Sequence, residues 1–124
     1  MEYSAKMVAS GVVSIFNGSA PGANTAILAT GLRPSHTASA YRITVALTTS
    51  SVLNVTCTDG TTPHKWGLNA SAALNAADLY TFTFAVRSTD DGLSTGTNLT
   101  YNFEVETDSV IECLFVEEVT GAVL

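Results

Sequence analysis

Charge is scarce in this chain. Only 13% of its 124 residues are Asp, Glu, Lys or Arg, about half the usual share for a soluble protein. Five of these are basic against eleven acidic, for a net charge of -6. That balance repels a phosphate backbone and an anionic lipid surface alike, which argues against nucleic-acid and membrane partners. Long apolar runs are missing as well, since none approaches the roughly 20 residues that span a bilayer. The first residues, Met1-Glu2-Tyr3-Ser4-Ala5-Lys6, have no basic region leading into an apolar stretch, so the expectation is a cytosolic chain without a signal peptide.

The residues that do chemistry are also few. Histidine is limited to His36 and His64, and cysteine to Cys57 and Cys113. Nucleophilic catalysis needs a Ser, Thr or Cys with a base in reach. Both histidines follow a proline turn, Pro34-Ser35 and Pro63, and read as solvated. No Gly-x-Ser-x-Gly elbow surrounds any serine, and the nine glycines stand singly rather than in a phosphate-cradling loop. Two cysteines and two distant histidines do not make a zinc site. Asp90-Asp91 lacks the oxygen-ligand spacing of a calcium loop and reads as a solvated turn. Glu104, Glu106, Glu112, Glu117 and Glu118 supply carboxylates enough for a glycosidase-like pair, yet Glu104 and Glu106 fall on the solvent face of a strand. The expectation is therefore no catalytic residue, no metal and no cofactor. Cys57 and Cys113 can pair, but a cytosolic origin favours free thiols in strands.

What the sequence has in quantity is alternation. Hydrophobic residues make up 46% of it, and they recur at period two, the mark of strands with one buried face. Tyr41, Ile43, Val45 and Leu47 form one such row. Leu53, Val55 and Cys57 form a second, Tyr80, Phe82, Phe84 and Val86 a third, and Tyr101, Phe103 and Val105 a fourth. Residues 7–16 read as a strand with Gly11 as a bulge, and residues 26–32 as a short one. Between 110 and 119, Ile111, Cys113 and Phe115 point one way while Leu114 and Val116 point the other. A strand apolar on both faces is either central in a covered sheet or part of an interface. Residues 70–77 carry helix-forming alanines over no more than about two turns. Asn17-Gly18, Pro21-Gly22, Asp59-Gly60 and Asp91-Gly92 punctuate the runs. About eight strands without an amphipathic helix predict one all-β domain over residues 1–124, with residues 1–5 as an N-terminal arm. The predicted architecture is an antiparallel β-sandwich of jelly-roll type, with an immunoglobulin-like sandwich as the other choice. Trp66, the only tryptophan, stands beside a turn. It is either a core residue closing one end of the sandwich or a surface anchor for a sugar or a partner.

Three stretches carry a resemblance: Lys65-Trp66-Gly67-Leu68-Asn69, then Leu74-Asn75-Ala76-Ala77-Asp78-Leu79 running into Tyr80-Thr81-Phe82-Thr83-Phe84-Ala85-Val86, and finally Tyr101 to Val116. Their strand texture resembles that of the jelly-roll capsid decoration, or cement, proteins of tailed phages. The resemblance covers the C-terminal half. It implies a structural virion subunit, made in the host cytoplasm and carried on the capsid surface as a homo-oligomer, often a trimer, bound to the major capsid protein. In that setting Tyr3, Lys6 and Met7 are the candidate shell contacts, Leu114 and Val116 the candidate subunit contacts, and Trp66 the candidate aromatic anchor. A carbohydrate-binding module and a tail or baseplate adhesion module are the competing expectations.

Overall fold

The computed structural model describes residues 6–20, 22–93 and 95–122, with the backbone alone at 6–19 and 120–122. Among the described residues the chain is all-β and antiparallel, without a helix. Its strands are β1 (Lys6–Ser19), β2 (Ser39–Leu47), β3 (Leu53–Thr58), β4 (Pro63–Gly67), β5 (Tyr80–Val86), β6 (Thr100–Val105) and β7 (Ile111–Ala122). They form two sheets, one in the order β1-β7-β2-β5 and one in the order β4-β3-β6. The predicted antiparallel β-sandwich is what the structure has.

Alternation decides which side chains meet between the sheets, because successive residues of a strand point to opposite faces. From β2 come Tyr41, Ile43, Val45 and Leu47, from β3 Leu53, Val55 and Cys57, and from β6 Tyr101, Phe103 and Val105, all buried. β7 runs between β1 and β2 and adds Leu114 and Val116, which are fully buried in the same cluster. A bulge then skips Glu112, so that Cys113 lies opposite Ala46 while Ile111 lies opposite Leu47. That extra residue returns Ile111 to the inner face. Of the two meanings of a strand apolar on both faces, the central one holds. Leu114 and Val116 are core residues, and no partner can reach them.

Two further expectations need correction. Residues 26–32 do not form a strand; the segment instead runs beside β6, donating Asn24 N to Val105 O, Ile27 N to Phe103 O and Leu32 N to Tyr101 O. Residues 70–77, where the helix signal is weak, form no helix: turns flank Leu74, which bridges Ser51, and Ala70, Ser71 and Ala77 all have positive φ, which a helix forbids. Pro63-His64, read as a turn, instead opens the edge strand β4, paired from Thr58↔Pro63 to Asn54↔Gly67. Its proline sits at the first position, where a sheet edge tolerates it.

Candidate functional site

β4 and β5 are edge strands, one in each sheet, and they lie on the same side of the sandwich. Trp66 of β4 meets Phe84 of β5 edge-to-face, with ring centroids 6.2 Å apart. Phe84 in turn packs edge-on against Phe103 at 6.4 Å and Tyr41 at 6.0 Å. A continuous aromatic chain thus runs from the core to the open side and fixes the indole from within. Because β5 has a neighbour on one side only, its inward row Tyr80, Phe82 and Phe84 is half-buried rather than fully buried. Phe82 and Phe84, which their alternation marks as facing inward, lie at the margin of the core and not within it. Trp66 is 39% exposed, so of its two expected roles the surface one fits and the core one does not.

A recess of about 290 Å³ opens at the Arg87 end of this side. Buried Cys57, Leu99 and Tyr101 form its floor, and Trp66, His64, Thr62, Asp59, Asp90 and Arg87 surround it. The register explains the company: Val55 lies opposite Trp66 and Cys57 opposite His64, so the inward face of β4 supplies both rings. Asp59 Oδ1 accepts from the amides of Thr61 and Thr62, each at 2.8 Å. The Thr62 bond first and the Thr61 bond second hold its carboxyl below the usual range. Asp90 Oδ1 accepts from Thr97 N at 3.0 Å. Beside it, Asp91 accepts from Leu93 N at 2.7 Å and from Thr89 Oγ1 at 3.0 Å. A Cβ at Gly96 would collide with the Asp90 and Asp91 carboxylates, so a side chain there would displace them. The acidic pair is a self-bonded turn. The Tyr101 hydroxyl accepts from Arg87 N at 3.1 Å and pins the start of that loop.

The residues alone did not reveal that His64 lies opposite Cys57, because Pro63-His64 reads as a turn. The pairing does not make a nucleophile. Burial is the main influence on the Cys57 thiol and pushes it up, whereas an activated cysteine is shifted down toward thiolate. Both Cys57 and Cys113 are free thiols. His36 is exposed and bonds Glu118 at 3.2 Å. Glu118 is a buried carboxylate that also accepts from Ser35 N and Ser39 Oγ, both at 2.9 Å. It latches the 33–39 turn to β7. Glu104 pairs with Lys65 at 2.8 Å, and Glu106 accepts from Asn54 Nδ2 at 2.9 Å. These acids are thus bound up in the outer face of the three-stranded sheet. Among the described residues no three His, Cys, Asp or Glu side chains are placed to share a metal ion.

Of the candidate shell contacts, Tyr3 lies outside the described residues. Lys6 and Met7 open β1, opposite Ala122 and Gly121 of β7, so that stretch of the chain is a paired strand. No protein-family model matches the chain, and no curated protein or solved structure matches it.

Proposed function

We propose that this chain is a structural, non-enzymatic virion subunit of jelly-roll type, a capsid decoration protein that assembles as a homo-oligomer, in the simplest case a trimer, on the major capsid protein of a tailed phage. Two arguments about the fold support the jelly-roll part. The order β1-β7-β2-β5 over β4-β3-β6 is what an eight-stranded jelly roll becomes when its second strand is lost. The irregular 24–32 segment follows β6 where that strand would run. Jelly rolls serve widely in viral shells and in lectins, and fold alone does not choose between them.

The observation that carries the structural reading is the outer edge of β5. Tyr80–Val86 contains no charge and no proline, and among the described residues it pairs only with β2. An uncharged edge of high β-propensity invites pairing with another chain, and soluble monomers normally blunt it. Leu79 and Leu93, 67% and 62% exposed, flank this side. A subunit that lives in an assembly needs no such protection, because a neighbour covers the edge. The subunit contact is therefore assigned to β5 and Leu79 in place of Leu114 and Val116. Attachment to the shell is assigned to the N-terminal residues around Tyr3, Lys6 and Met7. β1 lies at the far edge of the sheet from β5, so the two contacts do not compete.

Co-sedimentation with shells of the cognate major capsid protein tests this proposal. The full chain is expected to saturate the shells at a fixed copy number, and a variant lacking residues 1 to 5 to bind more weakly with its oligomer intact. Full-length protein left in the supernatant at micromolar concentration would refute it.

A further inference from the structure

We infer that the recess between β4 and the 87–99 loop is a saccharide site that takes one neutral pyranose unit, with Trp66 as its stacking surface and Arg87, Asp59, Asp90 and His64 as its polar rim. This inference rests on the recess and not on the virion reading.

The indole is the first reason. A tryptophan 39% exposed on an edge strand forfeits much of the burial that usually justifies the residue. Its contact with Phe84 nevertheless holds it in one place. A fixed aromatic platform at the mouth of a recess matches the apolar C–H face of a sugar ring, which stacks without needing to change the platform's rotamer.

The polar rim is the second reason. Arg87 offers five N–H donors and takes part in none of the ion pairs among the described residues, while its backbone is fixed by Tyr101. The guanidinium lies beside Gly92, where a Cβ would stand in ordinary contact, 3.5 Å from its Nη1. The bonds from Thr61 and Thr62 both fall on Asp59 Oδ1, and the bond from Thr97 falls on Asp90 Oδ1. Each carboxylate is thereby oriented with acceptor capacity to spare. Vicinal hydroxyls of a pyranose donate to a carboxylate and accept from a guanidinium at the same time, and charge-assisted bonds of this kind are the stronger ones. The volume, about 290 Å³, is near the lower end for small-molecule sites, which suits one ring unit and not an extended peptide. The two carboxylates and the net charge of -6 disfavour an acidic sugar or a phosphate ester.

Because Trp66 is the only tryptophan, its fluorescence reports this site without labelling. The full chain would be titrated with the methyl glycosides of glucose, mannose, galactose and N-acetylglucosamine. The expected result is a saturable change with at least one of them, with a Kd on the order of 1 mM. Arg87→Ala, an exposed position whose fold is checked by circular dichroism, should weaken that Kd by about tenfold or more. Glu112→Gln, at an exposed position of β7 away from the recess, should leave it unchanged. Calorimetry on Trp66→Ala should show no binding. The inference fails if none of the four glycosides gives a saturable change, if only glucuronate or inorganic phosphate does, or if Arg87→Ala binds as tightly as the parent chain.

Discussion

Where β6 forms the outer edge of the three-stranded sheet, the chain covers it: the 24–32 segment lies along the strand and Asn102 stitches the two together. Its Oδ1 accepts from Leu28 N at 3.0 Å and its Nδ2 donates to Leu28 O at 2.9 Å. Where β5 forms the edge of the other sheet, nothing among the described residues pairs with its outer side. β4, the edge beside it, carries Pro63 and Lys65, which are common devices for discouraging strand addition. Of these three edges the molecule seals β6, blunts β4 and leaves β5 bare; the fourth edge, β1, pairs with β7 alone among the described residues. The bare edge is also the one whose inward aromatics are only half-buried. On the proposed reading, the difference separates a side that supports the fold from a side that meets other molecules.

The largest effect should come from the sealed half of the core. Phe103, fully buried on β6, should cost about 3–5 kcal/mol when changed to Ala. Phe82→Ala on the open side should cost about half of that or less, because its ring keeps part of its surface in water. Urea unfolding curves with equal slopes would measure both. Equal losses would erase the distinction between the sides.

Next is the latch at the far end of β7. Glu118→Ala removes the acceptor for Ser35 N, Ser39 Oγ and His36 and should cost about 2–3 kcal/mol, the usual range for bonds to a buried charge. Burial on its own would raise the Glu118 pKa, but the bonds from Ser35, Ser39 and His36 together outweigh it and hold the carboxyl below the usual range for a glutamate. A carboxylate depressed on folding stabilises above its unfolded pKa, and that stability is lost as pH falls through the folded value. The parent chain should therefore lose stability below about pH 4.5 more steeply than Glu118→Gln. Parallel acid titrations of the two proteins would contradict this.

Most of the core was legible in the sequence because β2, β3 and β6 are central or covered strands, and for such strands alternation and burial coincide. The open side was not legible. β5 has the cleanest alternation in the chain, yet period two records only which way a side chain points, not whether a neighbouring strand covers it. Phe82 and Phe84 were placed too deep for that reason. β4 was hidden because Pro63, Lys65 and Gly67 are poor strand residues, and its pairing with β3 is a tertiary event. In β7 the skipped Glu112 reversed the faces of Ile111 and Leu114, and no local signal marks a bulge between two apolar residues. The rim of the recess draws on residues 59, 64, 66, 87 and 90, which sequence spacing keeps apart: the β3–β4 register sets 64 and 66 against β3, and the packing of the two sheets brings 87 and 90 to them.

A smaller effect should follow from prising the sealed side open. A Cβ at Gly31 would stand 2.4 Å from Thr100 Cγ2 and 3.0 Å from Tyr101 O, so Gly31→Ala should push the covering segment off β6 at about 1–3 kcal/mol. Thermal melts would detect it. The smallest effect on stability belongs to the bare edge. Thr83→Lys, on the exposed outward face of β5, should change unfolding free energy by no more than about 0.5 kcal/mol. It should nevertheless abolish association in sedimentation velocity, since a lysine on an edge opposes strand addition.

Amide hydrogen exchange of the parent chain, followed from dilute protein to concentrations at which it associates, compares the two sides directly. In the dilute state the 24–32 amides that bond β6 should be protected, while about half of the amides of Tyr80–Val86, those facing away from β2, exchange freely. On association, protection should appear across Tyr80–Val86 and stay unchanged at 24–32. Protection gained at 24–32 instead, or gained at neither segment while the protein associates, would contradict the assignment of β5 as the contact edge.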